Sequence, residues 1–517
     1  MSDFLATPAR LLRRGLVPGL LGLLALVLLA RLTLLANGGA LAFPDEDRYL
    51  QSVKAVQQLA AGHLEQACLH LANTQGRPVD ALLRLPVAAL QVAWEQWGGP
   101  PTGSPASLRL PQAMNYLVLL GNTLLFYWLA RRWLAIPAAL LAVLLYAALI
   151  SSNLYVRHLL PYDMALGGLL LALGHLTRPQ SALRPFRLGF TTGLLSILIL
   201  GIYPGYYFAP MLLGGVLLER LPRQSWRHAI LAGALGAAVV VVPLELLTRY
   251  GHISYLRTLQ SVSGTITQGD FNEGFTFLGQ YLWQVEGLTG LGLLLLALPG
   301  AWLVARGRNQ PKTRGLRTLG LFPVALWLLH AVLVYFAHSF VFYGRIIHFF
   351  VPFLVLYAVT ALAALPATAR RISLATLSLI TLAQFGRFLQ QYQPLTYPRD
   401  ILAAYSVQPT DSLQYLNESA VPHGWDFAPP PLGLAGPARS PRALALVNFT
   451  YPFWLSTASC GFVAPPAGAK LLFDKPHFFS FPAYGFEGFN PAERAHLLTC
   501  GFRCRLYRLW WSGDLAI

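Results

Sequence analysis

Three consecutive acidic residues, Asp45, Glu46 and Asp47, follow the first apolar stretch of a chain that has only 21 acids among 517 residues. Pro44 suits the first position of a helix, and acids in a first helical turn interact favourably with the helix dipole, by about 0.3–1 kcal/mol each. Helix capping therefore explains where they stand. It does not explain their number, because adjacent carboxylates repel and raise one another's pKa. Capping alone stays an alternative, but the crowding favours chemistry in addition to capping.

A second acidic site is predicted on the same side of the molecule. The stretch "YVRHLLPYDMALGG" (155–168) contains Arg157, His158 and Asp163, and Asp163 stands where an apolar helix begins. A charge deeper in a bilayer costs about 2.5–3.5 kcal/mol or more, so such residues lie at a membrane edge or in a wet cavity. The simpler alternative is again a helix-terminal acid. Together the two sites suit a hydroxyl-activating base, and a divalent cation held by Asp45 and Asp163 is left open.

Cations gather in a third stretch, "FAHSFVFYGRIIHFFVPF" (336–353), which contains His338, Arg345 and His348. A guanidinium group can donate two parallel hydrogen bonds to a phosphate. The alternative for Arg345 is a side chain that packs its aliphatic part on apolar surface and keeps its charge at the membrane interface.

The elements that must position these residues are membrane spans. The chain is 55% hydrophobic and only 11% charged, and its mean hydropathy is +0.51. A spanning segment requires about 20 mostly apolar residues, and it must be helical because hydrocarbon offers no partner for a free backbone amide. The pattern predicts about eleven spans, near 15–36, 113–131, 134–151, 162–177, 188–203, 205–219, 228–249, 288–305, 319–337, 346–365 and 372–389.

The distribution of charge predicts the orientation. Alternate connections hold 18 of the 38 Lys and Arg residues but only two acids, Asp3 and Glu219, so nearly all of the net charge of +17 lies on one side. Basic loops face the cytoplasm. This predicts a protein of the plasma (inner) membrane whose N-terminus is cytoplasmic and whose acids lie on the outer side. A nucleic-acid-binding protein concentrates its cations on one exposed face. Short, interrupted basic loops do not form such a face, so no nucleic-acid partner is indicated.

Two stretches are predicted to lie outside the spans. Outer loop 37–112 contains an amphipathic helix from Pro44 to about Gly62 and an apolar segment, Ala81–Trp97, at the membrane surface. The tail is extracytoplasmic by parity, and its strand-like runs are "ALALVNF", "AKLLFD" and "CRLYRLWW". The predicted fold class is an all-α polytopic membrane protein (residues 1–390) with a small mixed α/β domain (391–517). A disulfide between Cys460 and either Cys500 or Cys504 is one alternative for the tail.

In these stretches the chain resembles the GT-C class of membrane glycosyltransferases. It most resembles the glycosyltransferase 39 family, which contains protein O-mannosyltransferases and the aminoarabinose transferases of lipid A. "PDEDRY" resembles the family's acidic signature after the first span, "RHLLPYDMAL" its second outer acid, and "YGRIIHFFVPFLVLY" its late Arg-containing span. The likeness covers about the first 390 residues in layout. The family's Lys-Pro-Pro segment has only "GRPVDALL" here, in which Arg77 and Pro78 are a poor substitute.

The resemblance implies a transferase that moves a sugar from a polyprenyl-phosphate carrier to a hydroxyl of a glycan, lipid or protein on the outer side of the membrane. Asp45 would be the base, Glu46 its structural or metal-supporting neighbour, and Asp163 the second active-site acid. The donor phosphate would be bound by Arg345, Arg157 and His348.

Two other classes of function remain open at this point. A transporter or flippase of lipid-linked sugars would share the outer cations, but such proteins more often carry ionisable residues near mid-membrane, and these are scarce here. A membrane scaffold that displays the tail would leave the acidic cluster without a use.

Overall fold

The structure of the protein is a computed structural model. It describes residues 6–36, 44–102, 104, 106–178, 184–267, 274–306, 316–340, 343–395, 401, 404–405, 412–415, 443–448, 468–476, 480–486, 492, 494–496 and 503–509. Cys460 and Cys500 lie outside these residues, as does the side chain of Asp47. The expected disulfide therefore stays a prediction.

Helices dominate the described part of the chain. In order they are α1 (Ala6–Arg31), α2 (Thr33–Ala36), α3 (Asp47–Ala60), α4 (Leu64–Ala72), α5 (Pro78–Gln96), α6 (Arg109–Ala130), α7 (Ile136–Ala148), α8 (Tyr162–Leu176), α9 (Pro185–Ile202), α10 (Phe208–Arg220), α11 (Trp226–Tyr250), α12 (Tyr255–Thr267), α13 (Phe277–Arg306), α14 (Leu316–Ala337), α15 (Gly344–Ala363) and α16 (Ala367–Tyr392).

A helix lies at each of the eleven predicted spans. Among the described residues, eight helical segments are long and apolar enough to cross a membrane. Three others, α7, α8 and α10, have 13, 15 and 13 residues. At 1.5 Å per residue they extend about 20–22 Å, less than the hydrocarbon thickness of about 30 Å. The class of an all-helical, multi-pass membrane protein is confirmed, whereas the number of spans stays a prediction.

Small residues bring some of these helices into close contact. A Cβ atom on Gly193 of α9 would overlap the carbonyl oxygen of Gly233 of α11, and one on Gly189 would overlap the carbonyl oxygen of Ala229. In a membrane, helix association depends on close packing because lipid is as apolar as the side chains. The glycines of this seam, Gly189, Gly193 and Gly233, therefore hold α9 against α11.

The connection between α7 and α8, residues 149–161, is irregular and buried along its whole length. Its backbone groups have no water and must find partners within the protein. The Glu286 carboxylate accepts hydrogen bonds from the amides of Ile150 and Ser151, at 3.0 and 2.6 Å. Arg84 Nη2 donates to the Leu160 carbonyl at 2.9 Å. Side chains from distant helices thus fix the segment that leads to Asp163.

Helix α13 differs from the predicted span. The prediction begins at residue 288, whereas the helix begins at Phe277 and is interrupted at Gly287, whose φ is +55° and ψ −134°. The part before the break, "FLGQYLWQVE", was missed because it is less apolar than the part that follows it. Its last residue is Glu286, whose carboxylate lies inside the protein against the 149–161 connection.

The outer loop consists largely of helices. The amphipathic helix predicted from residue 44 is present as a 3₁₀ turn (Pro44–Glu46) followed by α3, and the apolar segment predicted from residue 81 is α5. On α5, the side chains of Trp94 and Trp97 are exposed, which suits the expected membrane interface. Helices α4 and α12 were not predicted.

The tail contains a four-stranded sheet of order β1-β2-β4-β3, with β1 parallel to β2 and the other pairs antiparallel. Its strands are β1 (Ser412–Tyr415), β2 (Ala443–Asn448), β3 (Lys470–Pro476) and β4 (Arg503–Arg508). The last three coincide with the predicted strand-like runs, and β1 was missed. The division of the chain at residue 390 stays a prediction.

Candidate active site

Asp45 lies on the 3₁₀ turn Pro44–Glu46 that leads into α3. Its carboxylate is surrounded by three guanidinium groups. Arg48 Nη1 is 3.0 Å from Oδ1, and Oδ2 receives Nη1 of Arg345 at 3.2 Å and Nη1 of Arg77 at 3.4 Å. The Asp45 side chain retains 24% of its exposure, so the group is recessed but still open to solvent on one side.

The charges around Asp45 decide its ionisation. Burial by itself would raise the pKa of this carboxyl, but the charges of Arg77, Arg48 and Arg345 outweigh burial and hold the pKa well below its usual range. Asp45 is therefore an ionised carboxylate and a weak base while all three arginines face it. Three cations around one anion leave the site with a positive charge, which suits an anionic ligand such as a phosphate.

The three arginines come from separate parts of the fold. Arg48 is one turn beyond Asp45, and Arg345 is the second residue of α15. Arg77 precedes α5 and follows a turn in which Gly76 has a φ of +80°. A side chain at that φ would be strained, and its Cβ would come into contact with Thr258 and Val262 of α12. This tight turn aims Arg77 at Asp45.

Two tyrosine rings lie beneath the guanidinium groups. Arg77 stands over the ring of Tyr203 with 5.1 Å to its centroid, and Arg345 stands over the ring of Tyr162 at 5.6 Å. The two rings meet edge to face at 4.7 Å. Cation–π attraction of this kind contributes roughly 0.5–2 kcal/mol. The pair of tyrosines therefore orients both cations toward the same carboxylate.

Asp163 is brought to the same end of α15 by a different contact. It lies in the first turn of α8, is nearly fully buried, and its Oδ1 is 3.2 Å from Nε2 of His348, one turn after Arg345. Nδ1 of His348 lies 2.8 Å from the hydroxyl of Tyr206. Among the described contacts none joins Asp163 to Asp45. The structure thus places both predicted acids at neighbouring positions of one helix end, each with its own partner.

Glu46 is fully buried. Its Oε1 accepts a hydrogen bond from the Leu159 amide at 2.7 Å, and its Oε2 accepts one from Nδ1 of His158 at 3.2 Å. The carboxylate joins the turn that carries Asp45 to the buried 149–161 connection. These contacts favour the structural role over the metal-supporting role that the sequence left open for Glu46.

The expectation that Arg157 binds the donor phosphate does not agree with its contacts. Arg157 is fully buried, and its guanidinium donates to the carbonyl oxygens of Leu34 at 2.6 Å, Tyr392 at 2.9 Å and Gln393 at 3.0 Å. Its donors are committed to backbone at the ends of α2 and α16. Arg157 therefore fastens the spans together, and no contact among the described residues joins it to Asp45.

Two residues of this site, Arg77 and Arg48, do not stand out in the sequence. Arg77 stood in the segment judged a poor substitute for the family's Lys-Pro-Pro, yet it contacts Asp45 directly. Arg48 was read only as part of "PDEDRY", although a spacing of three residues on a helix brings two side chains to one face. That spacing was the available signal for Arg48, whereas Arg77 follows a turn at Gly76 that no spacing in the sequence indicates.

The donor set at Asp45 does not fit a divalent cation. Over the residues that the structure describes, no group of three or more His, Cys, Asp or Glu side chains is placed to hold a metal ion. Both oxygens of Asp45 face arginines, whose charges repel a cation. Asp163 pairs with His348 instead of sharing a position with Asp45. No step of the proposed reaction is assigned to a metal.

Comparison with known proteins gives structural matches. No protein-family model and no curated protein matches the chain. The structure of ArnT from Cupriavidus metallidurans bound to undecaprenyl phosphate aligns with a TM-score of 0.53 at 14% identity, over 94% of this chain and 97% of that one. Its apo state aligns equally well, over 95% and 98%. An oligosaccharyltransferase from Archaeoglobus fulgidus aligns with a TM-score of 0.44 at 12% identity, over 71% and 55%.

The likeness to ArnT spans almost the whole of both chains. At 14% identity it concerns the arrangement of the backbone. The chain has the fold of the GT-C class of membrane glycosyltransferases, which confirms the resemblance seen in "PDEDRY" and its companion stretches at the level of the fold.

Proposed function

We propose that this protein is a membrane glycosyltransferase that moves a sugar from a polyprenyl-phosphate carrier to an acceptor hydroxyl on the outer side of the membrane. The observation that carries the proposal is the carboxylate of Asp45 within hydrogen-bonding distance of Arg77 and Arg345, at the point where the outer loop meets the spans. A site that transfers a sugar from a phosphate requires a base beside an anion-binding group. In this proposal Asp45 supplies the base, and Arg77 and Arg345 supply the anion-binding group.

Arg345 and Arg77 bind the donor phosphate in this proposal. The choice of carrier is supported by the ArnT structure of the same fold, in which that protein is bound to undecaprenyl phosphate. As the anomeric carbon–oxygen bond breaks, its electron pair passes to the phosphate, and the two guanidinium groups stabilise the anion that forms. Removal of one such donor typically costs about 100- to 1000-fold in kcat.

Asp45 takes the proton of the acceptor hydroxyl while the hydroxyl oxygen attacks the anomeric carbon. In the absence of donor the arginines make Asp45 a weak base. A phosphate bound to Arg345 and Arg77 shares their charge, so the proton affinity of Asp45 rises once the donor is in place. Asp45 therefore stays ionised until the donor binds, and it becomes a stronger base only afterwards. Asp163 contributes by holding His348, and through it the first turn of α15.

The central test is Asp45→Asn in proteoliposomes supplied with a panel of undecaprenyl-phosphate-linked pentoses and hexoses and acceptor lipid. General-base catalysis contributes about 10²–10⁴-fold, so transfer should fall by at least 100-fold while the amount of folded protein is unchanged. Asp474→Asn is the matched control, because Asp474 pairs with Arg503 and Arg505 in the tail sheet.

Unchanged transfer by Asp45→Asn would refute the role of this carboxylate. Movement of the labelled lipid-linked sugar across the bilayer without transfer, in the wild-type protein, would instead support a flippase.

A further inference from the structure

A chain of buried polar side chains begins beside Asp45 and ends in the tail. Its members are fully buried and come from four distant parts of the sequence: Glu46, His158, Tyr392 and Tyr484. Nδ1 of His158 donates to the Glu46 carboxylate at 3.2 Å, and Nε2 of the same ring lies 2.7 Å from the Tyr484 hydroxyl. Contacts at both ring nitrogens fix the orientation of the imidazole.

The far end of this chain is anchored to backbone. The hydroxyls of Tyr392 and Tyr484 are hydrogen-bonded to each other, and that of Tyr392 donates to the Leu154 carbonyl at 2.8 Å. Leu154 belongs to the 149–161 connection, which also supplies His158. A buried hydroxyl is costly unless it is hydrogen-bonded, and a phenylalanine would fill the same space. The two hydroxyls therefore serve the polar chain in addition to packing.

Tyr484 reaches this position because a short 3₁₀ turn of the tail, Pro482–Phe486, docks on the spans. The ring of Phe486 meets Phe277 and Tyr281 of α13 with centroids 5.5 and 5.2 Å apart, and Phe481 meets Phe388 of α16 at 5.5 Å. The turn is thus held by aromatic contacts with two helices, independently of the polar chain. Aromatic pairs add about 0.5–1.5 kcal/mol each beyond burial.

We propose that Tyr484 is a positioning residue of the transfer site, which acts through His158 and Glu46 on Asp45. Glu46 is the neighbour of Asp45 in a three-residue turn, and both of its oxygens are bound, by His158 and by the Leu159 amide. The segment 480–486 of the tail thereby completes the scaffold of the site. The inference rests on the proposed function in so far as Asp45 is the base.

The test compares two variants that each delete one buried hydroxyl, Tyr484→Phe and Tyr357→Phe. Tyr357 lies in α15, is almost fully buried, and donates to the Leu319 carbonyl at 2.6 Å. Among the described residues, no hydrogen bond or ring contact joins Tyr357 to the polar chain. Tyr484→Phe should lower kcat per folded molecule about tenfold and leave the KM for the lipid-linked donor within twofold, because binding depends on the arginines. Tyr357→Phe should change neither constant.

A second measurement does not require transfer. Hydrogen–deuterium exchange of the backbone amides in residues 44–50 should be faster in Tyr484→Phe than in the wild type, and unchanged in Tyr357→Phe. Equal kcat losses in the two variants, or unchanged exchange at 44–50 in Tyr484→Phe, would overturn the positioning role. A wild-type protein that transfers no sugar would refute the proposed function instead, and the exchange experiment would still decide whether Tyr484 positions the turn.

Discussion

At the scale of single residues, the proposed mechanism makes Asp45 and the donor phosphate compete for the same guanidinium groups. In the donor-free protein the carboxylate occupies Arg345 and Arg77. Asp45→Asn removes that competing anion, so the variant that cannot transfer should bind undecaprenyl phosphate more tightly, by about tenfold or 1.4 kcal/mol. Isothermal calorimetry or tryptophan quenching in detergent measures the affinity, with Asp474→Asn as the charge-matched control. Weaker binding by Asp45→Asn would show that the carboxylate is needed to arrange the arginines.

Arg345 and Arg157 were predicted to share one role, and their contacts assign them different ones. Arg345→Lys loses the planar fork at the site and should raise the Kd for undecaprenyl phosphate about tenfold with little change in Tm. Arg157→Lys leaves buried carbonyls of Leu34, Tyr392 and Gln393 underbonded, at about 1–3 kcal/mol each. It should lower Tm by several degrees, with normal affinity per folded molecule. Thermal unfolding and binding in the same detergent separate the two cases. The opposite pattern would return Arg157 to the phosphate.

The acids of the site could be read from the sequence, because their type and crowding are unusual in so apolar a chain. The sequence does not show in the same way which arginines contact these acids. Arg77, Arg157 and Arg345 look alike as letters, and each stands near a predicted membrane edge. Their roles depend on what lies opposite each of them: a carboxylate for Arg77 and Arg345, and backbone carbonyls for Arg157. That information resides in tertiary contacts.

At the scale of elements, the glycine seam between α9 and α11 makes a sharp prediction. Gly193→Ala places a methyl group on the Gly233 carbonyl oxygen, so the helices must separate. Gly22→Ala, in α1, meets nothing within 4 Å and should be neutral or stabilising, since alanine favours a helix by about 1 kcal/mol over glycine. Tm in detergent should fall for the first variant and stay level or rise for the second. Equal Tm values for the two would mean that the seam adjusts without cost.

The long spans were predictable as elements because a window of apolar residues identifies them without reference to any neighbour. Helices α4 and α12 and the first part of α13 were missed. These segments are short or amphipathic, and they are stabilised by packing against other elements. A hydropathy average over neighbouring residues contains no information about that packing. The break at Gly287 also depends on tertiary contacts. A Cβ at Gly287 would overlap the Gln384 side chain, and the preceding residue, Glu286, accepts a hydrogen bond from the 149–161 connection. Elements whose stability depends on tertiary packing were the least visible in the sequence.

At the scale of the whole molecule, five contributors to the site come from connections that charge counting placed on the same side. Asp45 and Arg77 belong to the first loop, His158 to the connection after α7, Arg345 to the start of α15, and Tyr484 to the tail. Spans that alternate in direction would bring those connections, and not the basic ones, to one face. The residues that form the site thus agree with the alternation of loops between the two membrane sides, from which the orientation was predicted.

The orientation itself can be measured by labelling two matched glutamines. Gln66 of α4 lies in the predicted outer loop and Gln224 in a basic connection, and both are exposed. In a background whose four cysteines are replaced by alanine, a membrane-impermeant maleimide should modify Gln66→Cys in intact cells and Gln224→Cys only after the membrane is opened. The expected cause is the retention of Lys- and Arg-rich loops in the cytoplasm. The reverse labelling pattern would place Asp45 in the cytoplasm, where nucleotide sugars are available, and the case for a lipid-linked donor on the outer side would then fail.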